Sequence, residues 1–386
     1  MKKTILFFII LLLQNHGIGA QQLIDLYKNG SVIIQPDSNY VTGKLKSYDV
    51  QETKNITNLV LDDENNLYML NRLTNRILVF EPDGRFKQTI ALPVTKSTSV
   101  YHGVNGLCIL DNRYLLVYQY ANILVLDKTG NMIKSIKFDY PLYDMVALKD
   151  DKIGIKGYIS LGGSKVKWHI AVFDIESRKE IPITHFFKDF SHRKEVVSFK
   201  IEGKGAFSFS NNKHAPKIFI DRTVEGNLIV GNSGEPAIRI YSPDGKMIHQ
   251  IKLNYAQTKV DTSEMKGYFN SFREKLIELN APDSLLQIIQ SPEFYYKTMP
   301  YYYDLMVDTD GNILVFRYTQ KKDHVFRVYQ VYSSGGEFVC ECKLDSGTFE
   351  VPNLRLVAFH DKYLYGLFDL KRDGDDGMRL VRGKLE

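Results

Sequence analysis

Five residues with polar or charged ends recur at one place in a repeated pattern: Asn58, Asn105, Asp144, Lys217 and Asp304 each stand where a short apolar run begins. Brought round one axis, they would make a polar ring able to hold a small polar ligand or an ordered water cluster. The four oxygen-bearing members have the hard-donor chemistry that binds Ca²⁺, although Lys217 argues against a metal centre. The plainer reading is that they cap strand ends and bond local backbone. A second set is aromatic. Tyr295, Tyr296, Tyr301, Tyr302 and Tyr303 lie close together, with Met299 and Pro300 among them. Tyrosine offers a flat apolar face with a polar tip, suited to stacking on sugars or peptides. The same rings can instead glue a neighbouring segment to the body. Tyr101, His102, Tyr140 and Tyr143 occupy comparable loops and extend the patch. Arg72 and Arg317 each follow a strand, where a guanidinium can grip a carboxylate.

Other chemistry is missing. There is no Gly-rich phosphate loop, no zinc-ligand spacing among the nine histidines, and no Gly-x-Ser-x-Gly elbow. Asp308-Thr-Asp-Gly-Asn312 invites an EF-hand reading, but Thr319 stands where the twelfth-position Glu is required. A hairpin turn is the expectation there. No catalytic residue is assigned, and no resident cofactor is expected, Ca²⁺ being the one candidate.

The elements that must position these groups repeat. One unit runs Asn58-Leu-Val-Leu-Asp62, Asn66-Leu-Tyr-Met-Leu70, Arg76-Ile-Leu-Val-Phe80, the turn Pro82-Asp83-Gly84, and Arg85 to Ile90. Asp-Gly between apolar runs is a hairpin signal, because Gly accepts positive φ. Comparable units run Asn105–Ile136, Asp144–Ile183, Lys217–Leu253 and Asp304–Leu344, and a sixth starts near Leu354. Each small sheet has two apolar faces and cannot hide both alone, so the units predict an all-β six-bladed propeller of four-stranded antiparallel blades. The last unit lacks a fourth strand, and Tyr40–Val50 is expected to supply it. An amphipathic helical insertion (residues 261–303) precedes the fifth blade. The expected division is residues 1–20 as a leader, 21–39 as a lead-in, and 40–386 as the propeller.

The blade pattern resembles NHL-repeat propellers and, more closely, an exported six-bladed propeller family of Gram-negative bacteria. The likeness rests on Asn75-Arg-Ile-Leu-Val-Phe-Glu-Pro-Asp-Gly84, Arg239-Ile-Tyr-Ser-Pro-Asp-Gly245 and Asp308-Thr-Asp-Gly-Asn-Ile-Leu-Val315. These motifs are turn chemistry, which specifies fold more than function.

Lys2 and Lys3, the apolar run Ile5–Leu13 and the small residues up to Ala20 read as a cleavable signal peptide. No cysteine follows that run to take a lipid, and no later segment approaches a membrane span. The expected location is periplasmic or secreted. The net charge of +5 is scattered, which excludes nucleic acid as the main partner. Cys108, Cys340 and Cys342 are too few to staple a chain of 386 residues. The expectation is therefore a monomeric, non-catalytic binding or interaction propeller. Its ligand would be a glycan, a peptide or a protein, held at the loop face where the inner strands begin. The alternative is a metal-dependent lactonase- or lyase-type propeller enzyme with a divalent ion in the channel.

Overall fold

The computed structural model describes residues 23–37, 40, 56–93, 104–161, 165–189, 196–201, 205–210, 215–278, 283–290, 296–318, 326–345, 355–372 and 375–386. The expected leader, His102 and residues 41–50 lie outside them.

The described chain is an all-β propeller-like fold. Four repeat units form separate four-stranded antiparallel sheets, each with its strands paired in chain order. Sheet I comprises Ile56–Leu61, Leu67–Asn71, Arg76–Phe80 and Phe86–Ala91. Sheet II comprises Val104–Leu110, Tyr114–Gln119, Asn122–Asp127 and Met132–Lys137. Sheet III comprises Leu142–Ala147, Lys152–Ser160, Lys165–Asp174 and Glu180–Asp189. Sheet IV comprises Ile218–Arg222, Leu228–Asn232, Ala237–Tyr241 and Met247–Lys252. Beyond the end of sheet III at Asp189, Val196–Ile201 forms a hairpin with Gly205–Ser210.

Burial follows position in the sheet. Every residue of the second strand of sheet I, Leu67–Asn71, is buried, because apolar neighbours cover both of its faces. In the outermost strands of sheets I, II and IV a single residue is buried: Ile90, Ile136 or Ile251. Six apolar clusters carry the packing. For example, Leu70, Ile77 and Val79 of sheet I meet Leu115 and Val117 of sheet II, and Ile170 and Val172 of sheet III meet Leu228 and Val230 of sheet IV.

The tight turns follow from side-chain acceptors. Asp308 Oδ1 accepts from the backbone N–H of Asp310 (3.0 Å) and Asn312 (2.8 Å). Asp62 does the same for Glu64 (3.0 Å) and Asn66 (2.8 Å). These are Asx-type turns between strands, which is what Asp308–Asn312 is for.

The remaining eight strands make one sheet, so the hydrogen bonding does not draw six separate four-stranded blades. Half of it is Tyr302–Val307, Ile313–Arg317, Phe326–Tyr332 and Phe338–Asp345. The other half is Arg355–His360, Tyr363–Arg372, Asp375–Leu385 and the N-terminal strand Ser31–Pro36. Ser31–Pro36 is the reason they fuse. Its residues Ser31 to Ile33 pair parallel to Lys343–Asp345, and Ile34 to Pro36 pair antiparallel to Gly383–Leu385. The strand joining both chain ends is thus Ser31–Pro36, where the sequence reading had put Tyr40–Val50. The stretch expected as a lead-in also buries Leu23 and Tyr27 in the core. The propeller body therefore begins upstream of residue 40.

Two helices, Thr262–Glu278 and Asp283–Gln290, lie between sheet IV and Tyr302–Val307. The ends of this excursion are tied together, with Val260 N–H donating to Lys297 O (3.1 Å) and Met299 N–H to Thr258 O (2.8 Å).

Candidate functional site

Strand register decides which side chains share a level round the axis. In sheets I, II and III and in Tyr302–Val307, the innermost strand carries a bulge one pair from its start. The bulged residues are Thr57, Asn105, Tyr143 and Tyr303. The positions just after them pair Asn58 with Leu70, Gly106 with Tyr118, Asp144 with Lys156, and Asp304 with Phe316. Sheet IV has no such bulge, and its equivalent pair is Phe219 with Gly231.

Two of the five predicted ring members therefore leave the ring. Asn105 sits one residue early, on the bulge, and Gly106 takes its level. Lys217 sits two residues early; it is exposed, and its backbone N–H donates to Ser233 Oγ (2.8 Å). Asn58, Asp144 and Asp304 keep equivalent places. Asn58 Oδ1 is buried and accepts no hydrogen bond among the described residues. Asp144 Oδ2 takes Lys156 Nζ at 3.0 Å, and the same ammonium donates to Ile218 O at 2.9 Å. Asp304 Oδ1 accepts from Leu305 N–H (3.0 Å). Three oxygen side chains, one already holding an ammonium, alternate with Gly106 and Phe219. This ring does not fit the Ca²⁺ site considered above, and among the described residues no three His, Cys, Asp or Glu gather at metal-ligand spacing.

Gly106 has a steric cause. A Cβ there would meet Tyr118 Cε1 at 2.1 Å, so the tyrosine ring fills the space that a side chain would need. Tyr118 OH donates to Tyr143 O (2.6 Å), and burial pushes its phenol pKa well above the ordinary range. Arg72 lies close enough to oppose that shift.

The tyrosines near the insertion divide. Tyr302 is fully buried and wedges between Phe219 (ring centroids 5.6 Å apart) and the glycine at 231. It is core and does not reach a ligand. Tyr303 is half-buried against Tyr318 (5.1 Å) and Phe316 (6.1 Å). Arg317 pairs with Glu341 and lies 4.2 Å from the Tyr255 ring centroid. Tyr302 against Phe219, and Arg317 against Tyr255, join this strand pair to sheet IV and to the chain just after it. The Tyr302 hydroxyl finds no partner among the described residues, so Tyr302→Phe is expected to be neutral or stabilising by about 1 kcal/mol. A thermal melt checks this, and a clear drop in Tm would mean that the hydroxyl is paired.

An accessible cluster of aromatic rings lies on sheet III, whose later strands run nine or ten residues where those of the other three separate sheets run five or six. Tyr158 and Trp168 are cross-strand partners there. Trp168 meets Tyr143 edge-on at 5.0 Å and Tyr158 at 5.7 Å, and Tyr143 lies 5.9 Å from Tyr158. Tyr143 is 52% exposed, and Tyr158 and Trp168 are partly exposed. Tyr143, on its bulge, stands one residue from the Asp144–Lys156 pair. Sequence reading named Tyr143 but missed Tyr158 and Trp168, whose pairing is a matter of register. On the opposite face of the same strands, His169 stacks on His185 at 5.0 Å with Nδ1 to Nδ1 at 3.1 Å. Glu180 holds His169 Nε2 at 2.5 Å and accepts from Tyr140 OH at 2.7 Å. This network clamps the long strands from behind.

The other end of the channel opens into a cavity of about 570 Å³, among the turns joining first and second strands. Asp221 faces it. Its Oδ1 accepts from Arg222 N–H (2.8 Å) and its Oδ2 from Val307 N–H of the next sheet (3.1 Å). Burial pushes its carboxyl up to about 7. Cys108 also lines the cavity; burial pushes its thiol up to about 12, so it is an inert packing group at neutral pH. Cys340 and Cys342 are free as well.

No family model and no curated protein matches the chain. Among solved structures, a Bacteroides fragilis protein described as exported aligns at 12% identity over 92% of this chain and 94% of its own, with a TM-score of 0.51. A member of the DUF4221 family from Bacteroides vulgatus aligns at 14% over 92% and 96%, TM-score 0.48. A streptogramin B lyase aligns at 11% over 91% and 86%, TM-score 0.42. No described helix is long and apolar enough to cross a membrane. What this chain shares with the first of these structures, at that identity, is the fold.

Proposed function

We propose that this chain is an exported six-bladed propeller that binds glycans at the end of the disc where the inner strands begin. The count of six reads the eight-stranded sheet as two blades joined along Ser31–Pro36, and a cluster of apolar side chains between each neighbouring pair supports it. The lysines, apolar run and small residues of positions 1–20 support export.

The observation that carries the binding reading is the partly exposed trio of Tyr143, Tyr158 and Trp168. Rings held by one another present a rigid stacking surface at little entropic cost. The carboxylate of Asp144 and ammonium of Lys156, one residue away, supply the few fixed polar groups that orient a hydroxyl-rich ligand.

Trp168 is the only tryptophan in the chain, so the protein carries its own reporter. A glycan that stacks on the trio is expected to shift or quench its emission in a saturable way. Trp168→Ala is expected to weaken that glycan's binding by about tenfold or more, measured by calorimetry. A broad glycan panel that leaves the emission unchanged, or an alanine variant that binds as tightly, overturns the proposal.

A further inference from the structure

The cavity at the far end of the channel is separate from the aromatic trio. Asp62, Asp63, Asp111 and Asn112, all from turns between first and second strands, mark its mouth. Its volume lies within the range of small-molecule pockets. Round Asp221 its wall is largely apolar: Val60, Cys108, Val146 and Met306 come from four other inner strands, and a fifth contributes Ala358 and His360. One carboxylate interrupts that belt, and it is fixed in place by two backbone donors. The next residue, Arg222, also lines the cavity. It is exposed and reaches the opposite way, its Nη1 donating to Ala147 O on sheet III at 3.3 Å. Asp221 thus leans toward Val307 on one side, and Arg222 toward Ala147 on the other. Two opposite charges on consecutive residues of one strand face the same apolar space without a direct side-chain bond between them among the described contacts.

We propose that this cavity binds a small zwitterion with an apolar body, of the α-amino acid type. The ammonium meets Asp221, the carboxylate meets Arg222, and the apolar side chain lies against the belt. An ammonium restores to Asp221 the favourable environment for charge that burial denies it. A planar guanidinium that lines the cavity, with Nη1 its one donor used among the described hydrogen bonds, suits a carboxylate. A ligand with only one of the two charges would leave the other protein charge uncompensated, at a cost in affinity.

The test is calorimetry or ligand-observed NMR on the full chain, with L-leucine and L-phenylalanine as probes. Isoamylamine and isocaproate serve as leucine lacking one charge each. At least one amino acid is expected to bind saturably. Both single-charge analogues are expected to bind about tenfold more weakly or worse. Arg222→Gln and Asp221→Asn are each expected to lose about tenfold in affinity. Thermal melts establish that the variants fold. Ala358→Phe, which keeps both charges and fills the belt, is expected to abolish binding and guards against Asp221→Asn failing to fold. No binding of either amino acid, an analogue that binds equally well, or unchanged affinity in Arg222→Gln overturns the proposal. Trp168→Ala is expected to leave amino-acid binding intact, which keeps this outcome distinct from that at the aromatic trio.

Discussion

A chain beginning at Asn39 instead of Gln21 is expected to lose its cooperative thermal transition and to aggregate under conditions where the longer chain is folded. The omitted stretch contains Leu23, Tyr27, Val32 and Ile34, each at most 2% exposed. At roughly 1.5–3 kcal/mol for each fully buried apolar side chain, their removal costs about 6–12 kcal/mol as an upper estimate. That is comparable with the whole stability of an ordinary domain, about 5–15 kcal/mol. Two further losses accompany it. The edges of Lys343–Asp345 and Gly383–Leu385 lose their partner strand, opening unpaired backbone to other chains. Asp308, already held above the usual carboxylate range by burial, loses the donated hydrogen bond of Tyr27 OH at 2.9 Å. Circular dichroism melts and gel filtration provide the measurement. A peptide of residues 21–38 added in trans is expected to restore part of the transition by taking the vacant place between the two edges. Gly383→Val is the subtler version, since a Cβ there would meet Ile34 Cγ2 at 2.0 Å. A truncated chain that melts within a few degrees of the longer one would show that the N-terminal strand is not what closes the sheet.

That closure was among the least legible features of the sequence, and the reason is physical. Ser-Val-Ile-Ile-Gln-Pro is a short apolar run without turn signals. It pairs parallel with one sheet for half its length and antiparallel with another for the rest, so it belongs to neither repeat. The repeats themselves were legible because their chemistry is local. Asp62 with Asn66, Asp127 with Asn131, and Asp308 with Asn312 each close a turn through bonds spanning four residues. The level of the polar ring was legible only in part, because it depends on register. A bulge inserts one residue, and one residue moves a side chain to the other face. Asn105 looked equivalent to Asn58 because both are asparagines near a strand start, but Asn105 is the inserted residue and Gly106 the aligned one. Trp168 was invisible for a related reason. Nothing local says that it faces Tyr158 across a ladder. The cavity around Asp221 escaped notice because Val60, Cys108 and Val146 read as ordinary strand interior.

The slip from Asn105 to Gly106 can itself be put to experiment. Gly106→Asn would make sheet II match sheet I at the ring, and on sequence grounds alone it looks like a repair. It is expected to be among the most disruptive single changes near the channel. The new Cβ would need the space that Tyr118 Cε1 occupies 2.1 Å away. Tyr118 is nearly fully buried in the cluster joining sheets II and III and cannot swing into solvent without opening that cluster. Overpacking of this kind costs about 3 kcal/mol, which over a chain of this length corresponds to a fall in Tm of roughly 4 °C. The consequence travels further, because Tyr118 OH donates to the carbonyl of Tyr143, which holds the bulge that presents Tyr143 to Trp168. Displacing Tyr118 is therefore expected to change the emission of Trp168, a residue on a different sheet from position 106. Pairing Gly106→Ala with Tyr118→Leu tests the route. The leucine vacates the space that the alanine methyl needs, so the double variant is expected to be more stable than the sum of the single effects predicts. It is not expected to restore the emission, because leucine has no hydroxyl to donate to Tyr143 O. Additive stabilities, or a Gly106→Asn protein with native Tm and native fluorescence, would mean that Tyr118 does not link the channel ring to the aromatic surface.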